Sequence, residues 1–304
     1  MTRLKRPVKI VIIALLLIPL PLIGLALSNY WRESHLPIFD VKRDKLYALH
    51  RPGSGQKILM LHGLAASSAF WEQVIDKLPQ DMEILAPDLL GFGESPKPSA
   101  NYDLKDQVAA LEALLTDKGF TDGDGVTVVA HSMGTLVGMA LIADRPKLFD
   151  RAIFISTPYY PDEASAKLNL ANVSMMHKGV VNGSLSTKIM CYTFHGHHWP
   201  NLGRFFGLPD EVFNAGTQHT WESLSNSLNN SVINEDVPRL LAQLKLPLTF
   251  IHGDKDRVAP LENVRRLLVD YSSTSLIVVD NSDHGLPLQH PNRIVDAVLN
   301  VSRH

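Results

Sequence analysis

The residues Val128-Val129-Ala130-His131-Ser132-Met133-Gly134 decide the fold of this chain. Residues 126–130 are a short valine-rich run typical of a buried strand, and residues 133–145 are apolar at helical spacing, with Pro146 closing the predicted helix. Ser132 therefore lies at a sharp corner between a strand and a helix. The residues two before and two after it must be small, because their backbones nearly touch, and Ala130 and Gly134 meet that requirement.

Two interpretations of Ser132 follow from this corner. The serine can be simply the cap of the next helix. Alternatively, its hydroxyl is a reactive group held clear of the sheet edge, with the amide of Met133 at the helix N-terminus directed at a bound oxygen.

The strand, serine corner and helix resemble the α/β-hydrolase fold superfamily, whose commonest form has Gly where this chain has Ala130. Other motifs that resemble the family follow predicted strands at 57–61, 83–86 and 247–252. They are His62-Gly63-Leu64, Asp88-Leu89-Leu90-Gly91-Phe92-Gly93-Glu94-Ser95 and Gly253-Asp254-Lys255-Asp256. Together the similar motifs span nearly all of residues 57–300.

The resemblance implies a catalytic triad of Ser132, Asp256 and His284, in the chain order that this fold requires. Asp254 is the alternative acid. The resemblance also implies an oxyanion hole made by the amides of Leu64 and Met133.

Two further polar residues in the motifs are predicted to be structural. By resemblance, His62 orders the loop that carries Leu64. Asp88 is expected to hold its glycine-rich loop together by accepting backbone hydrogen bonds.

Composition limits the classes of function. The 304 residues carry a net charge of −2, so nucleic acid is not expected as a partner. The single cysteine, Cys191, excludes an intrachain disulfide but leaves the compartment open. The histidine-rich stretch 195–198 has no Cys or carboxylate at ligand spacing, so we expect no metal, and the resemblance implies no cofactor.

The N-terminus resembles a membrane-targeting segment. Four basic residues precede an uncharged apolar run at 10–27, which is long enough to span a bilayer, whereas Ala26-Leu27-Ser28 resembles a signal-peptide cleavage site. The sequence predicts either a single-pass anchor or a cleaved signal, with the rest of the chain exported and the N-terminus cytoplasmic if it is retained.

Alternating strands and helices predict a mostly parallel sheet with helices on both faces and the site at the carboxyl ends of the strands. The predicted organisation has an anchor or signal at 1–28 and a linker with an edge strand at 29–56. An α/β-hydrolase core then spans 57–156 and 239–304, with a helical cap inserted at 157–238. Several cap residues are candidates for an apolar pocket lining: Met175, Met176, Phe194, Trp199, Phe205, Phe206, Phe213 and Trp221.

The predicted function is hydrolysis of carboxylic esters, of lipophilic type, through an acyl-enzyme. One alternative is a carbon-carbon bond hydrolase, because such enzymes are similar in having Ser-Met-Gly, although Thr135 stands where many have another Gly. The other is a binding module without catalysis. The oligomeric state stays open.

Overall fold

The computed structural model describes residues 19–197, 199, 201–205, 209–271 and 274–299. Their strands form one sheet in the order β1-β3-β2-β4-β5-β6-β7. The strands are β1 (Ala48–Arg51), β2 (Lys57–Leu61), β3 (Glu83–Pro87), β4 (Val126–His131), β5 (Phe149–Ile155), β6 (Leu248–Gly253) and β7 (Ser275–Val279). Only the edge strand β1 runs antiparallel, against β3. Every other pairing in this sheet is parallel, which confirms the predicted fold class.

Both faces of the sheet are covered, and the alternation of side chains explains how. In β2, Leu59 and Leu61 belong to one hydrophobic cluster, whereas Ile58 and Met60 belong to the cluster on the opposite face. All six residues of β4 are buried. A parallel sheet covered on both faces requires such continuous apolar strands, and this explains the valine-rich run before Ser132.

The helices of the core lie between consecutive strands and after β7. They are α2 (Glu72–Ile75, after a 3₁₀ turn at Ser68–Trp71), α3 (Leu104–Asp117), α4 (Met133–Asp144), α12 (Leu261–Leu268), α13 (Leu286–Gln289) and α14 (Pro291–Leu299). Helix α4 begins at the predicted residue 133 and ends one residue before the predicted end at 145.

The segment between β5 and α12 contains β6 and, before it, a run of helices; we use the name cap for residues 157–238 of this run. Its α-helices are α5 (Glu163–Ala171), α6 (Met175–Val181), α7 (Leu185–Phe194), α8 (Leu202–Phe205), α9 (Asp210–Gly216), α10 (Trp221–Leu228) and α11 (Val237–Ala242), and a π-helical turn at Asn229–Ile233 continues α10. Helix α10 is tied to loops of the core. The Glu222 carboxylate accepts bonds from the Ser99 hydroxyl and the Ala100 amide, and the Ser223 hydroxyl donates to the Gly91 carbonyl.

A further helix, α1 (Pro19–Glu33), packs along the cap helix α7. The buried side-chain amide of Asn29 donates to the carbonyls of Tyr192 and His195, at 2.8 and 3.1 Å. These carbonyls lie at the C-terminal end of α7, where helical carbonyls lack partners within the helix. The Asn29 side chain therefore satisfies the C-terminal carbonyls of α7, a helix of the cap.

The predicted membrane-targeting segment is described only in part. Residues 1–18 lie outside the described residues, and the predicted boundary at residue 28 falls within α1. Within the ranges that the structure describes, no helix has the length and apolar character needed to cross a bilayer. The anchor or signal therefore stays a prediction.

Candidate active site

Ser132 occupies a strained corner between β4 and α4. Its φ of 53° and ψ of −127° lie outside the regions that a side-chain-bearing residue ordinarily adopts. The corner is held by the Ser132 amide, which donates to the Ile155 carbonyl at 2.9 Å, and by the buried Thr135 hydroxyl, which donates to the Ser132 carbonyl at 2.7 Å. The packing leaves no room for a side chain at Gly134. A Cβ there would lie 2.5 Å from the carbonyl oxygens of both Leu61 and His62.

The three predicted triad residues come together at the carboxyl ends of the strands. The Ser132 Oγ lies 2.9 Å from Nε2 of His284, and Nδ1 of His284 lies 2.8 Å from Oδ2 of Asp256. The alternative acid, Asp254, is exposed and instead accepts a bond from the Ser282 amide. The geometry therefore brings Asp256, not Asp254, to the histidine.

The Asp256 carboxylate is buried and fully engaged. Its Oδ1 accepts the amides of Val258 and Ala259 at 2.9 and 2.8 Å, which leaves Oδ2 for His284. Burial by itself raises the pKa of this carboxyl, but the neighbouring His284 and the hydrogen bonds outweigh burial, so the pKa lies below its usual value. Asp256 is therefore ionised and fixes the orientation of the imidazole.

The loop that carries Leu64 is ordered by His62. The His62 Nδ1 donates to the Gly63 carbonyl at 2.7 Å, and its Nε2 accepts the Leu89 amide at 2.8 Å. Burial lowers the pKa of His62 and keeps the ring neutral, as an accepting nitrogen requires. Gly63 approaches the serine so closely that a Cβ there would lie 2.9 Å from the Ser132 Cβ.

The two predicted oxyanion donors flank this contact. Leu64 follows Gly63 directly, and Met133 is the first residue of α4. Among the described residues, neither amide donates to a protein acceptor. Both are thus available to a substrate oxygen near Ser132.

Asp88 has the predicted structural position. Its two carboxylate oxygens accept the amides of Ser68 and Glu94, at 2.6 and 2.7 Å. The carboxylate therefore joins two loops behind the site and does not contact His284.

His131 is a residue of the site that sequence reasoning missed. Its Nε2 donates to the main-chain carbonyl of His284 at 2.8 Å, and its ring lies between Phe70 and the His284 ring, with centroid distances of 4.7 and 4.9 Å. Burial and the nearby His284 lower the pKa of His131 to about 3, so the ring stays neutral. The only sequence signal was its place inside the serine motif, directly before Ser132.

His252 is a second such residue. Its Nε2 donates to the Ala259 carbonyl at 2.6 Å and lies 3.7 Å from Oδ2 of Asp256. It thereby positions the turn whose amides hold the triad carboxylate.

The Ser132 hydroxyl and the His284 ring open into a cavity of about 750 Å³ beneath the cap. The lining residues that the structure describes include no Lys, Arg, Asp or Glu; the titratable ones are Tyr160, Cys191 and four histidines. Four of the predicted aromatic and methionine residues line it, namely Met176, Phe194, Trp199 and Phe213. Met175 is exposed, whereas Trp221 is buried and absent from the lining. The Phe205 side chain and Phe206 lie outside the described residues.

The histidine stretch 195–198 is divided between different surroundings. The His195 ring packs against His219, whereas the His197 Nε2 lies 3.4 Å from the Asn29 amide nitrogen; His198 is not described. Across the described ranges, no three His, Cys, Asp or Glu side chains converge as metal ligands.

Comparison with known proteins agrees with this fold. An uncharacterized protein of Mycobacterium tuberculosis is 28% identical over 260 residues, which cover 81% of this chain and 75% of that protein. Probable lysophospholipase BODYGUARD 5 of Arabidopsis thaliana is 27% identical over 80% of this chain, but the match spans only 61% of that protein's length. An esterase of Thermogutta terrifontis has the same fold, with a TM-score of 0.66 at 20% identity, covering 85% of this chain and 93% of the esterase. The model of the alpha/beta hydrolase family matches residues 58–297, and the chain therefore belongs to that family.

Proposed function

We propose that this protein is a serine hydrolase that cleaves carboxylic esters of lipophilic compounds through an acyl-enzyme. The observation that carries the proposal is the Ser132–His284–Asp256 hydrogen-bonded chain, whose serine and histidine open into the apolar cavity.

Each residue has one role in the proposed reaction. His284 Nε2 takes the Ser132 proton as Oγ attacks the ester carbonyl carbon, while Asp256 stabilises the imidazolium that forms. The amides of Leu64 and Met133 stabilise the charged oxygen of the tetrahedral intermediate, and loss of one such donor costs about 2.7–4 kcal/mol.

The second half of the reaction reuses the same groups. His284 returns its proton to the alcohol as the C–O bond breaks, which leaves the acyl group on Ser132. Water, deprotonated by His284, then attacks the acyl carbonyl carbon. The bond from that carbon to Ser132 Oγ breaks as His284 returns the proton to Oγ, and the carboxylic acid leaves.

The lining of the cavity supports a lipophilic substrate. An apolar wall without charged side chains favours burial of hydrocarbon, at roughly 0.8 kcal/mol per CH₂ group. Diketone acids, the substrates of the alternative carbon-carbon hydrolase, carry carboxylates that find no Lys or Arg among the described lining residues. The name of the Arabidopsis relative, a lysophospholipase, is consistent with lipid esters.

The predicted location belongs to the same proposal. Lipid esters concentrate at bilayers, so a chain with a basic, apolar N-terminus fits a catalytic domain held at, or exported across, a membrane. The sequence of residues 1–28 alone supports this part.

The test is hydrolysis of p-nitrophenyl esters from acetate to laurate by the full chain, with Ser132→Ala as control. We expect activity that is lost in the control and that rises with acyl length until the cavity is filled. A parallel fluorophosphonate labelling of Ser132 separates the alternatives. Labelling of Ser132 without ester turnover would favour the carbon-carbon bond hydrolase. Absence of both labelling and turnover would favour a binding module without catalysis.

A further inference from the structure

Two buried histidines in the cap have polar atoms without partners. His219 is only 4% exposed. The Gly216 carbonyl lies close enough to its ring to act on its pKa, but neither ring nitrogen makes a well-aligned hydrogen bond to a described residue. His195 is 9% exposed, and its Nδ1 also lacks a partner. The two ring centroids lie 3.7 Å apart, and both rings line the cavity that Ser132 and His284 open into.

A buried imidazole nitrogen without a hydrogen-bond partner lowers the stability of the folded protein. A neutral imidazole carries one N–H donor and one acceptor nitrogen, and most buried polar atoms in proteins have a partner. Burial lowers the pKa of both rings, that of His195 to about 4, so both are neutral near pH 7. Neither ring contacts the triad, so the proposed mechanism does not use them.

The pair is fixed on the oxyanion side of the cavity. Gly216 packs so tightly on the main chain next to Leu64 that a Cβ there would lie 3.1 Å from the Ala65 carbonyl oxygen. His219 follows three residues later, with its ring centroid 6.2 Å from that of Phe92. The His195 carbonyl accepts the Asn29 side-chain bond, so the main chain of this partner is also held.

We propose that His219 and His195 form a hydrogen-bonding subsite that selects esters bearing a hydroxyl group on the part of the substrate that enters the cavity. This inference rests on the proposed ester hydrolysis. A hydroxyl is both donor and acceptor, so it matches a histidine pair that presents both in either tautomer. A plain hydrocarbon chain leaves the same nitrogens unpaired.

The experiment compares kcat/KM for matched esters that differ by one hydroxyl. One arm uses p-nitrophenyl decanoate against its hydroxydecanoate isomers, and the other uses propyl decanoate against glycerol monodecanoate. The two arms distinguish a hydroxyl on the acyl chain from one on the alcohol. We expect a preference of roughly tenfold in one arm, which corresponds to one hydrogen bond with a buried group.

Three variants assign the preference to the pair. His219→Phe should reduce the hydroxyl-to-plain ratio to about one, whereas His219→Gln, which keeps a donor and an acceptor, should retain part of it. His177→Phe is the matched control. His177 lines the same cavity, but its Nδ1 bonds the Ser174 hydroxyl at 2.8 Å, so this change should leave the ratio unaltered.

The outcomes separate the subsite from the reaction itself. Ser132-dependent hydrolysis with equal rates for plain and hydroxylated esters in both arms would overturn the subsite and leave the proposed function intact. The same holds if His219→Phe keeps the preference. Failure of every ester, together with failure of fluorophosphonates to label Ser132, would overturn both proposals. Melting temperatures of the variants identify a misfolded protein, and His219→Gln then gives the decisive ratio.

Discussion

Gly134 offers a direct test of how closely the serine corner and the oxyanion loop must pack. An alanine Cβ there would lie 2.5 Å from the carbonyl oxygens of Leu61 and His62. Carbon and oxygen atoms in close contact rest about 3.3 Å apart, so helix α4 and the end of β2 must separate by roughly 0.8 Å. Both obstacles are main-chain atoms of a buried strand end and cannot rotate away.

This separation should reduce both stability and activity. Overpacking of this kind typically lowers the free energy of unfolding by about 1–3 kcal/mol. The same movement draws the Met133 amide, at the start of α4, away from the Leu64 amide, which follows β2. Because a misplacement of about 1 Å can cost roughly 100-fold in rate, we expect Gly134→Ala to lower kcat/KM for p-nitrophenyl esters by about that factor.

Gly138→Ala is the matched control, one turn later on the same helix. The three atoms nearest to its Cβ would be side-chain carbons, at 3.3 Å from Val128 and 3.5 Å from Leu61 and Phe154. The gain in helix propensity of about 0.5–1 kcal/mol offsets this slight tightness. The free energy of unfolding, measured by urea denaturation, should therefore stay within about 1 kcal/mol of the wild-type value, and kcat/KM within about twofold. If the two alanine variants behave alike, the main-chain contact at Gly134 does not set the oxyanion geometry.

Three further predictions concern the triad and the N-terminal helix. Asp256→Asn should lower kcat by about 10⁴-fold, because the amide cannot hold His284 in the required tautomer. Burial raises the pKa of Glu33 to about 7, above the value of 4.5 expected in the unfolded chain, so stability falls as pH rises between those values. Glu33→Gln, which can still accept the Trp221 amide, should abolish that slope and add about 1–3 kcal/mol above pH 7 in urea denaturation. Asn29→Ala removes the donor that caps α7, and hydrogen exchange should become faster in that helix but not in β4.

Each of these has a result that contradicts it. Full ester turnover by Asp256→Asn would mean that another group orients the histidine. An unchanged pH slope in Glu33→Gln would assign that slope to other buried groups, and uniform exchange in Asn29→Ala would mean that α1 does not stabilise the cap.

The sheet and the serine corner were predictable from the sequence because local constraints mark both, whereas Asp256 and His284 were expected only from the resemblance to the hydrolase family. Continuous apolar runs identify buried parallel strands, and the small residues around Ser132 reflect a main-chain contact that the structure measures at Gly134. The contribution of His131 was not predictable. Its role depends on a carbonyl 153 positions away in the chain, and nothing in its immediate sequence indicates that partner.

The same reason applies to helix α1. Residues 19–27 belong to the apolar run and resemble part of a membrane segment, yet the polar residues that attach the helix to the cap, Asn29 and Glu33, lie beyond that run. Apolar periodicity does not distinguish a helix that enters a bilayer from one that packs against another helix. The distinction depends on partners that are distant in the sequence.

Helix α1 therefore connects the predicted targeting segment to the cap above the active site. Its Asn29 caps α7, its Glu33 accepts the first amide of α10, and both cap helices contribute residues to the cavity. A protein that lacks residues 1–28 keeps both polar residues, but only five residues of α1 remain. Five residues are too few to form a stable helix alone. A protein that begins at residue 19 retains the whole helix. If the protein that lacks residues 1–28 hydrolyses esters more slowly than the protein that begins at residue 19, the difference is due to the contacts of α1 with the cap. Only a comparison of the full chain with the protein that begins at residue 19 tests the contribution of residues 1–18.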